Sequence, residues 1–381
     1  MADILPVLTV MAAGIFFAQF LKPFRVPYVV ILILAGMLIG PFVLDIYEPD
    51  ATTKFLGEIG LVFLMFMAGL ETKFSQMPQV RNGATLLAFL NSSIPFIVGV
   101  GIALYFGYGW LSALLLGTIF ISSSIAVIVP SLQTNNLLTK RVGRTILGAT
   151  VMQDILSLII FSFLLNTINP ISTAPLPVYY TALFLFLFGL GYLIRELRKI
   201  YMSNITRKED AIFEDEIRFT FVVLLGTVLI FELLGLHAIL AGFFAGLALS
   251  GSKNSEIIKR KLHVVSYGLF IPIFFVLIGS GIDITLLSNG GNIRLLIATV
   301  VVGSIASKIL SGFLAGRLSG FSLLDSTIIG SATIPQLSTT LAVAFTGLEL
   351  GLLDQGIIIA MTLLSMATTF AGPFLIRYLL D

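Results

Sequence analysis

The chain has 381 residues, of which 57% are hydrophobic and only 11% charged, and its formal net charge is +2. Soluble domains carry roughly 25% charged residues, so the composition excludes a soluble protein and describes an all-α polytopic membrane protein. With no cysteine, disulfide and thiol chemistry are excluded. The net charge, held mostly in connecting loops, says nothing about partners; the apolar composition makes the lipid bilayer the expected partner, and no nucleic acid is expected.

A membrane span needs about 20 mostly apolar residues. Polar and Gly/Pro breaks divide the chain into thirteen predicted spans, roughly 4–20, 27–44, 54–70, 84–106, 110–132, 142–167, 175–194, 217–235, 237–250, 264–282, 293–316, 322–347 and 355–378. The first carries Asp3 and no basic cluster before its apolar run, so it reads as a spanning helix and not a cleaved signal. Of the 22 Lys and Arg residues, 19 fall in loops after odd-numbered spans or at the C-terminus, and two, Lys54 and Arg294, fall on the other side. Positive charge marks the cytoplasmic side, which predicts an outside N-terminus and an inside C-terminus. The charged stretch 195–218 reads as a solvated cytoplasmic linker.

Two pairs of segments repeat. ILAGMLIG (33–40) in the second span matches ILAGFFAG (239–246) in the ninth, and FLMFMAGLE (63–71) in the third matches FFVLIGSGID (274–283) in the tenth. Either pair alone could reflect close helix packing; together, in the same order, they predict a duplicated unit. Seven spans separate the copies, an odd number, so the copies cross the membrane in opposite directions. The organisation expected is one membrane domain over 1–381, with inverted repeats at 1–167 and 217–381 joined by 168–216. Inverted repeats characterise secondary transporters, whose sites lie near the midplane at interrupted helices.

The repeat predicts where interruptions fall. The fifth span holds Ser122, Ser123 and Ser124 at mid-depth, and the twelfth holds Pro335 within SATIPQLSTT (331–340). Proline removes a backbone donor, and serine competes for backbone groups. Two such segments in matching positions predict crossed, broken helices; Ser/Thr-rich packing faces with a proline kink are the alternative. Asp154, in the sixth span, and Lys308, in the eleventh, are the only charges placed deep in the membrane. An intramembrane charge costs about 2.5–3.5 kcal/mol on insertion scales and marks a functional candidate. A purely structural Asp154–Lys308 ion pair is the competing reading. Glu58 and Glu232 lie near span ends, where they can reach an interface.

A dehydrated monovalent cation takes hard oxygen ligands, including backbone carbonyls. Asp154, Gln153, Ser123, Ser124 and the carbonyls around Pro335 could supply them. Burial and a nearby ammonium act in opposite senses on a carboxyl group's proton affinity, so a proton and a cation could compete at Asp154. Such exchange needs no cofactor. An intramembrane enzyme would need paired aspartates, a Ser/His dyad or a zinc motif. The two histidines, His237 and His263, sit near span ends, and no second deep aspartate accompanies Asp154, so an enzyme is not expected.

Taken in order, ILAGMLIGPFVLDI (33–46), LVFLMFMAGLET (61–72), RVGRTILGATVMQDIL (141–156) and GLHAILAGFFAGLALS followed by IPIFFVLIGSGIDITLL (within 235–287) resemble the monovalent cation:proton antiporter family, the sodium/hydrogen exchanger domain. Within it, the second large branch fits best. The resemblance implies a plasma-membrane homodimer in which a mobile core moves like an elevator, exchanging Na+ or K+ for H+. It places the ion-binding aspartate on Asp154 and the basic residue on Lys308. Gln153-Asp154 looks like the membrane domain of glutathione-gated potassium efflux systems. There are departures: Thr-Asp-Pro of many sodium exchangers is replaced by Ser123-Ser124-Ile125, and the twelfth span reads Pro335-Gln336-Leu337-Ser338. The potassium efflux systems carry a nucleotide-binding regulatory domain after the last helix. This sequence stops at Asp381, so such control is expected to be absent or cut away. A single central carboxylate favours electroneutral one-for-one exchange. A gated potassium pathway and a non-transporting sensor on the same fold remain as alternatives.

Overall fold

A backbone that crosses lipid as helix satisfies its own N–H and C=O groups, and the described residues of this chain are helical with no strand. The computed structural model describes residues 4–22, 28–71, 81–168, 176–203, 209–234, 236–250, 255–285 and 291–380. Asp3 and, among the basic loop residues, Arg25, Lys73, Arg207, Lys208 and Lys253 lie outside them. The helices are α1 (Ile4–Leu21), α2 (Tyr28–Ile39), α3 (Ala51–Glu71), α4 (Arg81–Tyr105), α5 (Trp110–Ile121), α6 (Ile125–Thr134), α7 (Arg141–Ile168), α8 (Leu176–Ser203), α9 (Glu209–Leu233) and α10 (Ala238–Leu249). They continue with α11 (Ser255–Val265), a π-helical turn (Ser266–Phe270), α12 (Ile271–Ser280), α13 (Gly291–Leu318), α14 (Leu323–Ala332), α15 (Ser338–Glu349) and α16 (Gln355–Leu380). Among the described residues, eight helical stretches are long and apolar enough to cross a membrane, and Tyr28–Ile39, Ala238–Leu249 and Leu323–Ala332 are shorter apolar helices.

Local chemistry sets several boundaries. Asp50 starts α3: its Oδ1 accepts the Thr53 N–H at 2.8 Å, and its own N–H donates to Thr53 Oγ1 at 3.1 Å, a reciprocal N-cap. The tenth predicted span is one helix interrupted by the π turn, in which the Ile271 N–H donates to Ser266 O, five residues back. Pro272 follows directly and would press on the preceding turn of a regular α-helix; the wider π turn makes room for it. The stretch 195–218 departs from expectation. α8 continues to Ser203 and α9 begins at Glu209, so a linker read as loop is largely helix. The reason is pairing: Arg198, on the extension of α8, meets the buried Glu216 of α9 in an ion pair.

The chain divides into two compact units. One comprises Met1–Lys54, Ser75–Leu164 and Pro272–Asp381; the other comprises Phe55–Phe74 and Leu165–Ile271. In the first, α4 packs on α5 and α13, and α13 packs on α14 and α16. Its apolar core includes Leu87, Ile128, Leu132, Ile146, Ile329 and Ile376. In the second, α10 packs on α8 and α9.

Glycine contacts pair at one constant spacing, which differs from the register of the sequence match. In the first unit, a methyl on Gly36 would strike the carbonyl of Val276, and one on Gly279 would strike that of Ile33. In the second, the same holds for Gly246 against Phe66 and for Gly69 against Phe243. The two sets coincide residue for residue at a spacing of 210 (Gly36 to Gly246, Gly69 to Gly279). The ILAG match sets Gly36 against Gly242 instead, one helical turn out. ILAGFFAG contains Ala-Gly twice, at 241–242 and 245–246, and the second copy is the structural counterpart.

Candidate functional site

Both predicted breaks are present, and both lie in the first unit. α5 ends at Ile121, and Ser122 (φ −68°, ψ 154°) and Ser124 (φ −85°, ψ 105°) are extended before α6 begins. α14 ends at Ala332 and α15 begins at Ser338, with Leu337 at φ −146°, ψ −83° between them. α5 packs on α15, and α6 on α16.

Broken helices leave carbonyls at one end and N–H groups at the other without intrahelical partners, and here the two breaks supply each other. The Ser124 N–H donates to Pro335 O at 2.6 Å. Ser123 Oγ donates to Thr333 O at 2.9 Å, and Gln336 Nε2 donates to Phe120 O at 3.1 Å. Ser122 Oγ and Thr340 Oγ1 are 3.0 Å apart. Ser338 takes the first position of α15, half-buried, and its hydroxyl is not among the described groups that join the breaks.

Lys308 reaches this crossing from α13. Its buried ammonium donates to Ile121 O at 2.6 Å, to Ser123 Oγ at 3.0 Å and to Asn91 O at 3.5 Å. A cation at the carbonyl end of a helix is favoured by the helix dipole. The ion pair with Asp154 that the sequence left open is not formed: among the described residues the two make no contact within salt-bridge distance.

Asp154 and Gln153 sit within α7, both buried. The Ser123 backbone N–H faces the Asp154 carboxyl group. Asp154 Oδ1, both polar atoms of the Gln153 carboxamide and Ser124 Oγ are buried without a hydrogen-bond partner. A serine in the N-cap position ordinarily turns its hydroxyl to the first helical N–H groups; Ser124 does not. Buried polar atoms are almost always paired, and exceptions call for a functional reason. Unspent oxygens of a carboxylate, an amide and a hydroxyl match the hard donors that a small cation takes.

The model of the family "Sodium/hydrogen exchanger, transmembrane" matches residues 7–381. The chain belongs to the sodium/hydrogen exchanger family. This exchanger is 30% identical over 363 residues to "Probable Na(+)/H(+) antiporter 3" of Methanocaldococcus jannaschii, covering 94% of this chain and 92% of the relative. It is 28% identical to "Na(+)/H(+)-K(+) antiporter GerN" of Bacillus cereus, covering 91% and 88%. Its fold matches the solved sodium proton antiporter MjNhaP1 of Methanocaldococcus jannaschii with a TM-score of 0.76 at 20% identity, over 100% of this chain and 99% of that one. The exchanger is thus an integral membrane protein whose relatives are cation/proton antiporters and not enzymes.

Three polar residues of the crossing escaped sequence reasoning. Asn91 donates from Nδ2 to Thr333 Oγ1 at 2.6 Å, Thr340 meets Ser122, and Thr368 Oγ1 accepts the Gln336 N–H at 3.2 Å. Lone hydroxyls in apolar helices commonly bond back to their own turn, so Thr340 and Thr368 carried no distinguishing signal. Asn91 did: it is an amide in the apolar run of α4.

Proposed function

We propose that this exchanger carries a monovalent cation, Na+ with K+ also accepted, in exchange for H+ at Asp154. The observation that carries the reading is the unpartnered, buried carboxyl oxygen of Asp154 beside the crossed breaks, with its nearest cation committed elsewhere. Cation and proton occupy Asp154 in turn. Gln153, Ser123 and Ser124 supply further oxygens, and Lys308 balances the charge of the crossing. With one central carboxylate, exchange is one for one and electroneutral.

Transport follows alternating access of the elevator type, with thirteen passes, inverted repeats, the N-terminus outside and the C-terminus inside, in a plasma-membrane homodimer. The bias of basic residues, 19 against 2, supports that orientation. The names of the relatives, among them a Na(+)/H(+)-K(+) antiporter, support sodium with potassium as cargo.

The experiment is proton flux from proteoliposomes challenged with Li+, Na+, K+ or Rb+. Asp154→Asn should abolish exchange while the protein remains folded. Full activity in that variant would falsify the assignment. An imposed membrane potential should leave the electroneutral rate unchanged; a clear dependence overturns one-for-one exchange.

A further inference from the structure

The two breaks are tied down alike, and the tie singles out a residue to which nothing else assigns a role. Ser123 and Gln336 correspond at a spacing of 213, as do Phe120 and Thr333, because Ser123 Oγ donates to Thr333 O while Gln336 Nε2 donates to Phe120 O. The same spacing relates two backbone approaches: Gly117 lies against Phe96 O, and Gly330 against Ile309 O. A helix also lies behind each break. On α7, Asp154 is faced by the Ser123 N–H. On α16, Thr368 Oγ1 accepts the Gln336 N–H at 3.2 Å. Thr368 thus meets the second break from the helix behind it, one residue away from the 213 counterpart of Asp154 (Ala367), with a neutral hydroxyl where the first break faces a carboxyl group.

We propose that Thr368 is a positioning residue for cation exchange: it holds the Gln336 backbone so that the Gln336 carboxamide caps α5 beside Asp154, and its neutrality leaves the crossing with one titrating carboxyl. The proposal rests on the reading of Asp154 as the exchange site. The Thr368 hydroxyl is fully buried and donates to Leu364 O at 2.7 Å, which turns a lone pair toward the Gln336 N–H. The Gln336 carboxamide is held at both ends, accepting from Ser304 Oγ at 3.2 Å and donating to Phe120 O at 3.1 Å. A buried N–H without an acceptor is strongly disfavoured, so losing the Thr368 hydroxyl displaces the Gln336 backbone. The displacement passes through the carboxamide to Phe120 O, next to the Ile121 carbonyl that holds Lys308. The oxygens around the cation shift while the moving parts of the cycle stay intact, so affinity changes before rate.

The test uses the full chain in proteoliposomes, reading apparent KM for Na+, maximal rate and pH profile. Thr368→Val, isosteric but without an acceptor, should raise KM for Na+ by about tenfold or more, as supporting residues around metal ligands do, with the maximal rate little changed. Thr368→Ser should restore KM. Thr368→Asp should add a second titration to the pH profile. An unchanged KM in Thr368→Val, or a loss of rate at constant KM, overturns the proposal. Should the valine variant not fold, the aspartate variant decides alone, and a wild-type pH profile there overturns it. These outcomes are separate from the parent reading, which fails only if Asp154→Asn still exchanges.

Discussion

Lys308 spends its ammonium on the carbonyl of Ile121, 2.6 Å away, and not on the carboxyl group of Asp154. The two buried charges of the crossing are therefore anchored independently. Lys308→Met leaves Ile121 O without the ammonium that it accepts from, while Ser123 Oγ keeps its bond to Thr333 O; a buried unsatisfied group costs about 1–3 kcal/mol. Asp154→Asn removes no hydrogen bond from Lys308 and should stay within about 1 kcal/mol of the parent, less than one such group. Thermal unfolding in detergent checks this. Equal destabilisation by the two substitutions, with recovery in the double variant, would mean that they form an ion pair after all.

The reciprocal caps should be coupled. Ser123→Ala and Gln336→Leu each remove one donor from a carbonyl at the crossing, at a cost of about 1–2 kcal/mol apiece. Because the two bonds fasten the same pair of segments, a double-mutant cycle should return a coupling of about 0.5 kcal/mol or more. Strict additivity would show that each break holds its shape without the other.

Close backbone contact makes a second family of substitutions unequal. Alanine at Gly36, Gly69, Gly246 or Gly279 drives a methyl into a facing carbonyl, and overpacking of this kind costs about 1–3 kcal/mol. Gly101, inside α4, has nothing within 4 Å of the same methyl. Gly101→Ala should be neutral or stabilising by up to about 1 kcal/mol, the difference in helix propensity. Yield and unfolding temperature of the five variants, measured side by side, test the ranking.

These contacts mark how far the sequence could be read. Ser122–Ser124 and Pro335 announced the breaks because residues that disturb backbone hydrogen bonding stand out in an apolar run. Asp154 and Lys308 stood out as charges for the same reason. The register of the matching segments was not legible: two Ala-Gly steps four residues apart in α10 lie on one helix face, and only the facing carbonyls of Val62 and Phe66 distinguish Gly242 from Gly246. The linker between the halves was read as loop because charge was taken for solvation, whereas Arg198 and Glu216 satisfy one another. Which polar groups would meet across the breaks depends on tertiary contacts over more than two hundred residues, and no local pattern encodes them.

Asp50 gives a pH-dependent term. The Thr53 hydroxyl, followed by its backbone N–H, holds the Asp50 carboxyl below its ordinary range. A carboxyl group lowered in the folded state contributes stability that is present above its unfolded value and disappears as pH falls through the folded value. Asp50→Ala should therefore cost about 0.5–2 kcal/mol at neutral pH, as loss of an N-cap does, and progressively less as pH drops below the ordinary 3.8. An Asp50→Ala deficit that is the same at pH 7 and in strong acid would rule out the cap as its source.

The exchange of donors between the breaks makes their integrity mutual. The end of α5 takes its carboxamide from residue 336, and the end of α14 takes its hydroxyl from residue 123, so each break is closed by a group from the other. A substitution that unseats either segment therefore uncaps both helices at once, and damage on one side of the crossing does not stay there.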